Sequence, residues 1–331
     1  MSPPPNRISV IIPCRNAAPY LEQAVESLFA TGYPELEVVI VDDGSRDSSR
    51  ALARDLAQRH PGVRPAAHRN HAHLGVGRTL NHGARLATGT YLAFLGADDY
   101  VYPNRFAASV EILDRAPEVD AVCGTTRRVV EPGGEWRAAR VREQTVFDCE
   151  DPEDVLEKRL FGGLAWSANA ILMRKRIFEA VGGFSRLRVA QDAVLWLKLA
   201  CVARIVSAGP EPICVYRIHA GNHSSSIFTE RFRPVNSWVV AEALGWARRR
   251  KVPPAKIGLL EKALVARVMG DNRHLRADRQ FGPAGMHLVR LLARHPFLLT
   301  HDPVRRCVFS TVLEGLRLRR PAFPVPEKTE A

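Results

Sequence analysis

The feature that most constrains the fold of this chain is a set of three short apolar runs. Each run is followed by polar residues. The runs are residues 8–12, 36–41 and 91–95. Stretches with helical periodicity separate them, and strands that alternate with helices form a mainly parallel sheet covered by helices on both faces. Such sheets bind ligands where the carboxyl ends of their strands meet. The sequence therefore predicts an α/β protein with a ligand crevice at that edge.

Two pairs of adjacent acids, Asp42-Asp43 and Asp98-Asp99, lie at the predicted crevice. Adjacent carboxylates at the end of a buried strand are costly unless a cation or hydrogen-bond donors meet them. A divalent cation with a phosphorylated ligand would meet them well, because hard cations take carboxylate and phosphate oxygens together. An ordinary explanation also exists, since Asp is common in turns and at helix N-termini.

The positive charge of the chain is concentrated in its last third. Of a net charge of +12 over 331 residues, residues 231–331 supply all, with 20 Lys and Arg against 8 Asp and Glu. We therefore place a boundary near residue 230, between a domain of residues 1–230 and a basic helical segment of residues 231–331. Amphipathic Arg-rich helices of this kind either lie on an anionic membrane surface or pack against the preceding domain.

Cysteine usage and hydropathy indicate the compartment. The six cysteines are scattered without CxxC spacing, which argues against a zinc site or a disulfide framework and fits a reducing cytosol. No stretch approaches the roughly 20 apolar residues of a membrane span. We expect a cytoplasmic protein whose residues 231–331 contact the inner face of the membrane or a second copy of the chain.

Other classes of protein explain less of the pattern. A dinucleotide-dependent oxidoreductase needs G-x-G-x-x-G after its first strand, where this chain has Pro13-Cys14-Arg15-Asn16. No nucleic-acid motif is visible, so nucleic acid is not an expected partner. Two alternatives stay open at this point. One is a nucleotidyltransferase, and the other is a protein without turnover that binds polyanions or membranes through residues 231–331.

Five motifs in the same order resemble those of the family 2 inverting glycosyltransferases. They are Ile8–Asn16, Val38–Ser45, Gly89–Asp99, Gly182-Gly183-Phe184 with Gln191-Asp192, and Tyr216–His219. The resemblance covers about residues 7–228 and implies a GT-A fold served by Mg²⁺ or Mn²⁺. It also implies a UDP-, GDP- or dTDP-sugar donor and a glycan or lipid-linked hydroxyl acceptor, in surface polysaccharide or glycolipid synthesis. A nucleotidyltransferase would not explain the fourth motif.

The resemblance assigns donor contacts residue by residue. Pro13 and Arg15 would line the nucleotide pocket, and Arg78 would reach a phosphate. Asp43 would accept a hydrogen bond from the base, while Asp42 would support the turn. Arg78 is equally explained as a surface residue of a helix.

The resemblance assigns the metal to the second acid pair. Asp99 would ligate the cation directly, and Asp98 would contact the sugar or ribose. His219 would join the metal or the diphosphate, although a lone loop histidine is often only solvated. Gly96 stands where the family often has a further acid, which puts the sugar contacts in question rather than the metal.

Asp192 is the implied general base. Inverting transfer needs one carboxylate to take the proton of the acceptor hydroxyl as that oxygen attacks the anomeric carbon. Trp166, Asn169 and Gln191 fall where the family builds its acceptor site. Asp192 could also cap the helix that follows it, and Trp166 could belong to the core.

Overall fold

The computed structural model describes residues 6–130, 154–162, 167–187, 190–219, 221, 235–277, 281–301, 304–305 and 308. Within these ranges the strands are β1 Ile8–Cys14, β2 Leu36–Asp42, β3 Val63–Ala67, β4 Tyr91–Phe94, β5 Tyr100–Val101, β6 Ala121–Val130, β7 Ile171–Arg174 and β8 Ile205–Ile218. The helices are α1 Ala18–Phe29, α2 Ser49–Arg59, α3 Val76–Leu86, α4 Ala107–Arg115, α5 Val155–Phe161, α6 Lys175–Ala180, α7 Gln191–Val202, α8 Val235–Arg249, α9 Pro254–Ala277 and α10 Phe281–Arg294.

The strands form one sheet in the order β3-β2-β1-β4-β7-β6-β8-β5. The first four of these strands are parallel, as predicted. Strand β7 runs antiparallel to both β4 and β6, while β8 is parallel to β6 and antiparallel to β5. The sheet is therefore parallel where the nucleotide motifs lie and mixed in its other half, and the predicted α/β fold class is confirmed.

Helices cover both faces of the sheet, and strand β1 contributes to both cores. Ile8, Val10 and Ile12 pack into an apolar cluster with α1 and α2. Ile11 points the other way, into a cluster that includes α3 and α7. This alternation is the period-2 pattern of a strand buried on both faces.

Two elements of the parallel half have local features that the sequence pattern does not signal. Helix α3 begins at Val76 and includes Gly77 in its first turn. A Cβ at Gly77 would lie 2.5 Å from the carbonyl oxygen of Ser185, so the glycine permits close packing rather than a loop. Strand β3 was not predicted, because it has few large apolar residues and contains Pro65. An edge strand such as β3 tolerates a proline.

The described helices after residue 230 share a core with the preceding domain. Leu244 of α8, Leu264 of α9 and Leu291 of α10 are buried in the same apolar cluster as Val194 and Leu195 of α7. This is the intramolecular packing that the sequence left as one of two options. The boundary near residue 230 marks a change in charge and stays a prediction as a domain limit. None of the described helices is long and apolar enough to cross a bilayer.

A buried carboxylate fixes the start of β4, the strand that leads to Asp98-Asp99. Glu37 in β2 is 4% exposed. It accepts hydrogen bonds from the Ser9 hydroxyl, from the Thr88 backbone N–H at 2.8 Å and from Arg64 Nη1 at 2.7 Å. Burial opposes the charged form, but these donors outweigh it and lower the pKa of Glu37. The network attaches the loop before β4 to strands β1 and β2.

We expect Glu37→Gln to lower the free energy of unfolding by about 1–3 kcal/mol at pH 7, because it leaves a buried donor without its charged acceptor. A carboxyl with a lowered folded pKa stabilises above its unfolded pKa of about 4.3 and loses that contribution as the pH falls. The difference between variant and wild type should therefore shrink below about pH 4. Urea unfolding at pH 7 and below about pH 4 measures the free energy of unfolding of variant and wild type. Glu35→Gln, which breaks only an exposed pair with Arg7, is the matched control, and an equal loss there would contradict the role of Glu37.

Candidate active site

The Asp99 carboxylate is held between three parts of the sheet. Asp99 is 2% exposed and lies between β4 and β5. Its Oδ1 accepts a hydrogen bond from the Arg217 backbone N–H at 2.8 Å, in β8, and its Oδ2 accepts one from Asn169 Nδ2 at 2.5 Å, just before β7. Asn169 Oδ1 accepts from the Gly96 N–H at 3.1 Å. Asn169 was predicted to contact the acceptor substrate. In the structure its side-chain amide instead hydrogen-bonds Asp99 and Gly96.

Asp98 is the more accessible member of the pair. Its side chain is 30% exposed, and its Oδ2 lies 3.1 Å from His219 Nε2. The structure thus brings His219 to the acid pair, as the sequence suggested, with Asp98 as its neighbour. Burial first, and then the negative charge of Asp98, raise the pKa of Asp99 well above its usual range.

The two carboxylates crowd over Gly96. A Cβ at Gly96 would lie 2.5 Å from Asp99 Oδ2 and 2.8 Å from Asp98 Oδ1, so the glycine leaves the space that both side chains use. Two close carboxylates repel each other, and a divalent cation relieves that repulsion. The described residues contain no group of three or more His, Cys, Asp or Glu side chains arranged for a metal. This donor set suits Mg²⁺ or Mn²⁺ completed by phosphate and water rather than an all-protein cage.

Arg217 organises the acid pair, a role that sequence reasoning missed. Besides the backbone bond to Asp99, its Nε donates to the Asp98 carbonyl oxygen at 2.8 Å. Its guanidinium lies between the rings of Tyr20 and Tyr100, at 4.9 and 5.3 Å from their centroids. The Tyr216–His219 motif was the available signal, but nothing in it distinguished Arg217 from its neighbours.

Asp43 holds the loop that leads into α3. The acid is buried, and its carboxylate accepts hydrogen bonds from the backbone N–H groups of Leu74 at 2.7 Å and Gly75 at 3.0 Å. It also accepts from His73 Nδ1 at 2.9 Å, while Arg15 Nη1 lies 2.8 Å from His73 Nε2. Arg15 can only donate, so this arrangement fits the His73 tautomer that accepts at Nε2 and donates from Nδ1. Sequence reasoning gave His73 no role, because a loop histidine carries no spacing signal.

The remaining predicted donor residues differ in how they are held. Asp42 is buried and accepts from the Ser45 N–H at 3.1 Å and from Arg50 Nε at 3.2 Å, which is the contact pattern of a residue that supports the turn. Pro13 lies in β1 and pairs in register with Val41. Arg78 is exposed on α3 and has no hydrogen-bond or ion-pair partner among the described residues.

The turn that precedes Asp192 is clamped from α3. Asn81 Nδ2 donates to the Phe184 carbonyl oxygen at 3.0 Å, and Asn81 Oδ1 accepts from the Phe184 N–H at 2.9 Å. Gly183 has a φ of 67°, and a Cβ there would lie 2.4 Å from Asn81 Oδ1. Two features therefore favour glycine at this position, namely its positive φ and the close approach of Asn81.

Asp192 lies in the first turn of α7, and its Oδ1 accepts from the Ala193 N–H at 2.9 Å. Burial raises the pKa of Asp192, opposed by that bond, by the positive charge of Arg159 and by Trp196. A raised pKa makes a carboxylate a stronger base near neutral pH. Arg159 belongs to α5, outside every motif, so no sequence signal identified it. Gln191 packs with its Cγ 3.2 Å from the position of a Gly77 Cβ.

Trp166 lies outside the described residues, so its assignment stays a prediction. The other predicted residues fall into three groups. Around Asp43 lie Arg15 and the loop to α3, around the acid pair lie Asn169 and His219, and at the start of α7 lie Gln191 and Asp192. The first and third groups meet at α3, since Gly75 is held by Asp43 and Gly77 packs against Gln191.

Comparison with known proteins agrees with this fold. Residues 9–180 match the model of glycosyl transferase family 2. The chain belongs to that family.

The chain is similar to curated proteins described as uncharacterized glycosyltransferases. One from Nostoc sp. is 31% identical over 228 residues, which are 66% of this chain and 67% of the relative. Another from Rickettsia bellii is 28% identical over 198 residues, 60% of this chain. The matched region spans only 28% of the length of the Rickettsia relative.

Solved structures show the GT-A fold. The structure of S. aureus TarS residues 1–349 in complex with UDP-GlcNAc has a TM-score of 0.63 at 18% identity, covering 94% of this chain and 91% of that TarS fragment. The mannosyltransferase PcManGT from Pyrobaculum calidifontis, in complex with GDP-Man and Mn²⁺, has a TM-score of 0.54 at 21% identity, covering 94% and 87%.

The crowding of the acid pair predicts a trade-off between stability and function. We expect Asp98→Asn, assayed with EDTA, to raise the free energy of unfolding at pH 7 by on the order of 1 kcal/mol, because it removes a like charge beside Asp99. A carboxyl with a raised folded pKa costs stability as the pH rises through that pKa. The gain should therefore shrink on acidification. Thermal unfolding at pH 5 and 7 measures it, with Asp55→Asn on exposed α2 as the control. A variant less stable than wild type at both pH values would contradict the repulsion.

Proposed function

We propose that this glycosyltransferase moves a sugar from a nucleoside-diphosphate donor to a hydroxyl acceptor, with inversion and with a divalent cation. The observation that carries the proposal is the pair of carboxylates crowded over Gly96, with His219 facing Asp98. Such a pair at the strand ends of a GT-A fold suits a cation bound together with a diphosphate.

The donor would lie along the strand ends of β1, β2 and β4. Pro13, Arg15 and Asp43 would surround the base, with Asp42 supporting the turn behind it. Arg78, exposed and without a partner among the described residues, is available for a phosphate. The UDP-GlcNAc of TarS and the GDP-Man of PcManGT support a nucleotide-sugar donor as a class. A UDP-, GDP- or dTDP-sugar would satisfy the site.

Asp99 and His219 would hold Mg²⁺ or Mn²⁺ together with phosphate and water, and Asp98 would contact the sugar or ribose. Asp98 and His219 offer the accessible atoms, and Asp99 offers a carboxylate already oriented by Asn169 and Arg217. When bound, the cation would neutralise the diphosphate and stabilise the charge that develops on it as the glycosidic bond breaks. The Mn²⁺ in PcManGT supports the choice of metal.

Asp192 would take the proton from the acceptor hydroxyl as its oxygen attacks the anomeric carbon from the face opposite the diphosphate. The new glycosidic bond forms as the bond to the diphosphate breaks, which inverts the configuration. Gln191 and Trp166 would contact the acceptor. Asn169 would orient the Asp99 carboxylate through its hydrogen bond. We propose a glycan or lipid-linked acceptor, in surface polysaccharide or glycolipid synthesis, by a cytoplasmic enzyme.

The outer face of α10 supports contact with an anionic membrane surface. Met286 and Val289 are 53% and 62% exposed, and Arg290 is exposed beside them. Leu288 and Leu291 of the same helix are buried in the core. Apolar and basic side chains on one exposed face are typical of helices that lie at a bilayer interface.

For the reaction, we expect Asp192→Asn to keep donor binding and to lower the rate of transfer by about 10²–10⁴-fold, because it removes only the base. A thermal-shift panel of UDP-, GDP- and dTDP-sugars with and without Mn²⁺ measures binding, and release of nucleoside diphosphate measures transfer. Glu179→Gln, an exposed residue near the same turn, is the matched control. Transfer at the wild-type rate by Asp192→Asn would contradict the base, and stabilisation by no nucleotide sugar would contradict the donor.

For the membrane, we expect the full chain to co-sediment with anionic vesicles at low salt and to be released by salt, because the attraction is largely electrostatic. Met286→Glu with Val289→Glu should weaken binding by about tenfold. Val202→Glu on α7, also exposed, is the control. Binding unchanged by the α10 substitutions would remove this surface from the proposal.

A further inference from the structure

A polar cluster links the C-terminal helix α8 to the turn that precedes Asp192. Glu242 of α8 accepts a hydrogen bond at 2.8 Å from the hydroxyl of Ser185, which is 2% exposed. The Ser185 Oγ in turn accepts from the Leu187 N–H at 3.0 Å. Lys198 of α7, 6% exposed, directs its Nζ to the Gly183 carbonyl oxygen at 3.4 Å. Side chains of α7 and α8 therefore hold the turn at two points.

The charge of Glu242 also acts on Lys198. Burial lowers the pKa of Lys198, the negative charge of Glu242 opposes that change, and the positive charge of Arg249 adds to it. A buried ammonium is costly without a nearby negative charge. Glu242 is therefore the hydrogen-bond acceptor for Ser185 and a source of negative charge for Lys198.

The backbone of the turn needs external partners to keep its shape. Gly182 and Gly183 adopt φ values of 78° and 67°, and glycine moves freely through this region. Asn81 clamps Phe184 from the side of α3. Glu242 of α8 and Lys198 of α7 supply further contacts, so hydrogen bonds from three helices hold the turn.

The position of the turn determines the start of α7. The Ser185 N–H lies 3.4 Å from the carbonyl oxygen of Gln191, the residue before Asp192. A Cβ at Gly77 would lie 2.5 Å from the Ser185 carbonyl oxygen and 3.3 Å from Gln191 Cβ, so Ser185 and Gln191 pack side by side on α3. A displacement of Ser185 would therefore displace Gln191 and the carboxylate after it.

We infer that Glu242 is a positioning residue for sugar transfer, which acts through Ser185 and Lys198 on the carboxylate of Asp192. The inference rests on the proposed function, in which Asp192 is the general base. It makes α8, which lies beyond the change in charge near residue 230, a working part of the catalytic unit.

The test compares Glu242→Ala with Glu242→Gln. We expect Glu242→Ala to lower kcat about tenfold or more, because small displacements of a catalytic group are costly, while the donor Kd with Mn²⁺ stays within about twofold. Glu242→Gln still accepts from Ser185 and should recover at least half of that loss on a logarithmic scale. A purely structural role would lower Tm and leave kcat of the folded enzyme unchanged, and that result would overturn the inference.

A coupling measurement keeps the test valid if Glu242→Ala does not fold. Ser185→Ala, Glu242→Met and the double variant form a cycle, because methionine keeps the size of the side chain but is at most a weak acceptor, and we expect the double variant to be no slower than the slower single variant. Fully multiplicative effects would overturn the link through Ser185. Glu261→Ala is the matched control, since Glu261 pairs with Arg248 of α8 at 2.6 Å on the exposed side. It should leave kcat unchanged.

The same assay separates this inference from the proposed base. Wild-type transfer by Asp192→Asn would contradict the base itself, whatever Glu242 does. Loss of transfer in Asp192→Asn together with a wild-type kcat in Glu242→Ala would overturn the inference alone.

Discussion

The Asp99 carboxylate is the point on which the rest of the site depends. It accepts from the backbone of β8 and from the Asn169 amide, and Asn169 accepts in turn from Gly96 after β4. These bonds satisfy a buried acid, yet burial and Asp98 still raise its pKa. The sheet thus holds two carboxyl groups close together at a cost in stability, and a bound cation would offset that cost.

The parallel half of the fold could be predicted from the sequence because its determinants are local. The β-branched runs of β1 and β2 are buried on both faces, and each ends in a polar turn whose residues are visible in the sequence. The acids at those turns follow directly, since parallel strands end at one edge. The antiparallel pairing of β7 could not be predicted in this way, because its partners β4 and β6 are distant in sequence and no turn specifies them.

The partners of the site residues were hidden for the same reason. Asn81 clamps a backbone 103 residues away, and Arg217 holds an acid 119 residues before it. Arg159 affects Asp192 by charge from a helix with no motif. Residue type and spacing identified the acids, whereas the hydrogen-bond donors that orient them depend on tertiary packing. Asp192 itself illustrates the division. The sequence allowed it to cap the following helix, but α7 begins at Gln191 with Ala190 as its N-cap, and the raised pKa of Asp192 arises from burial.

The basic C-terminal segment combines a change in charge with continuity of packing. Charge places a boundary near residue 230, but Leu244, Leu264 and Leu291 are buried in the same cluster as α7. A helix that shares a core with α7 cannot shift without disturbing the turn at the start of α7, because interiors are close-packed and transmit displacement. Met286, Val289 and Arg290 lie on the exposed face of α10, whereas Leu288 and Leu291 of the same helix are buried in the shared core. The proposed membrane contact and the proposed support of Asp192 would therefore use different faces of the segment.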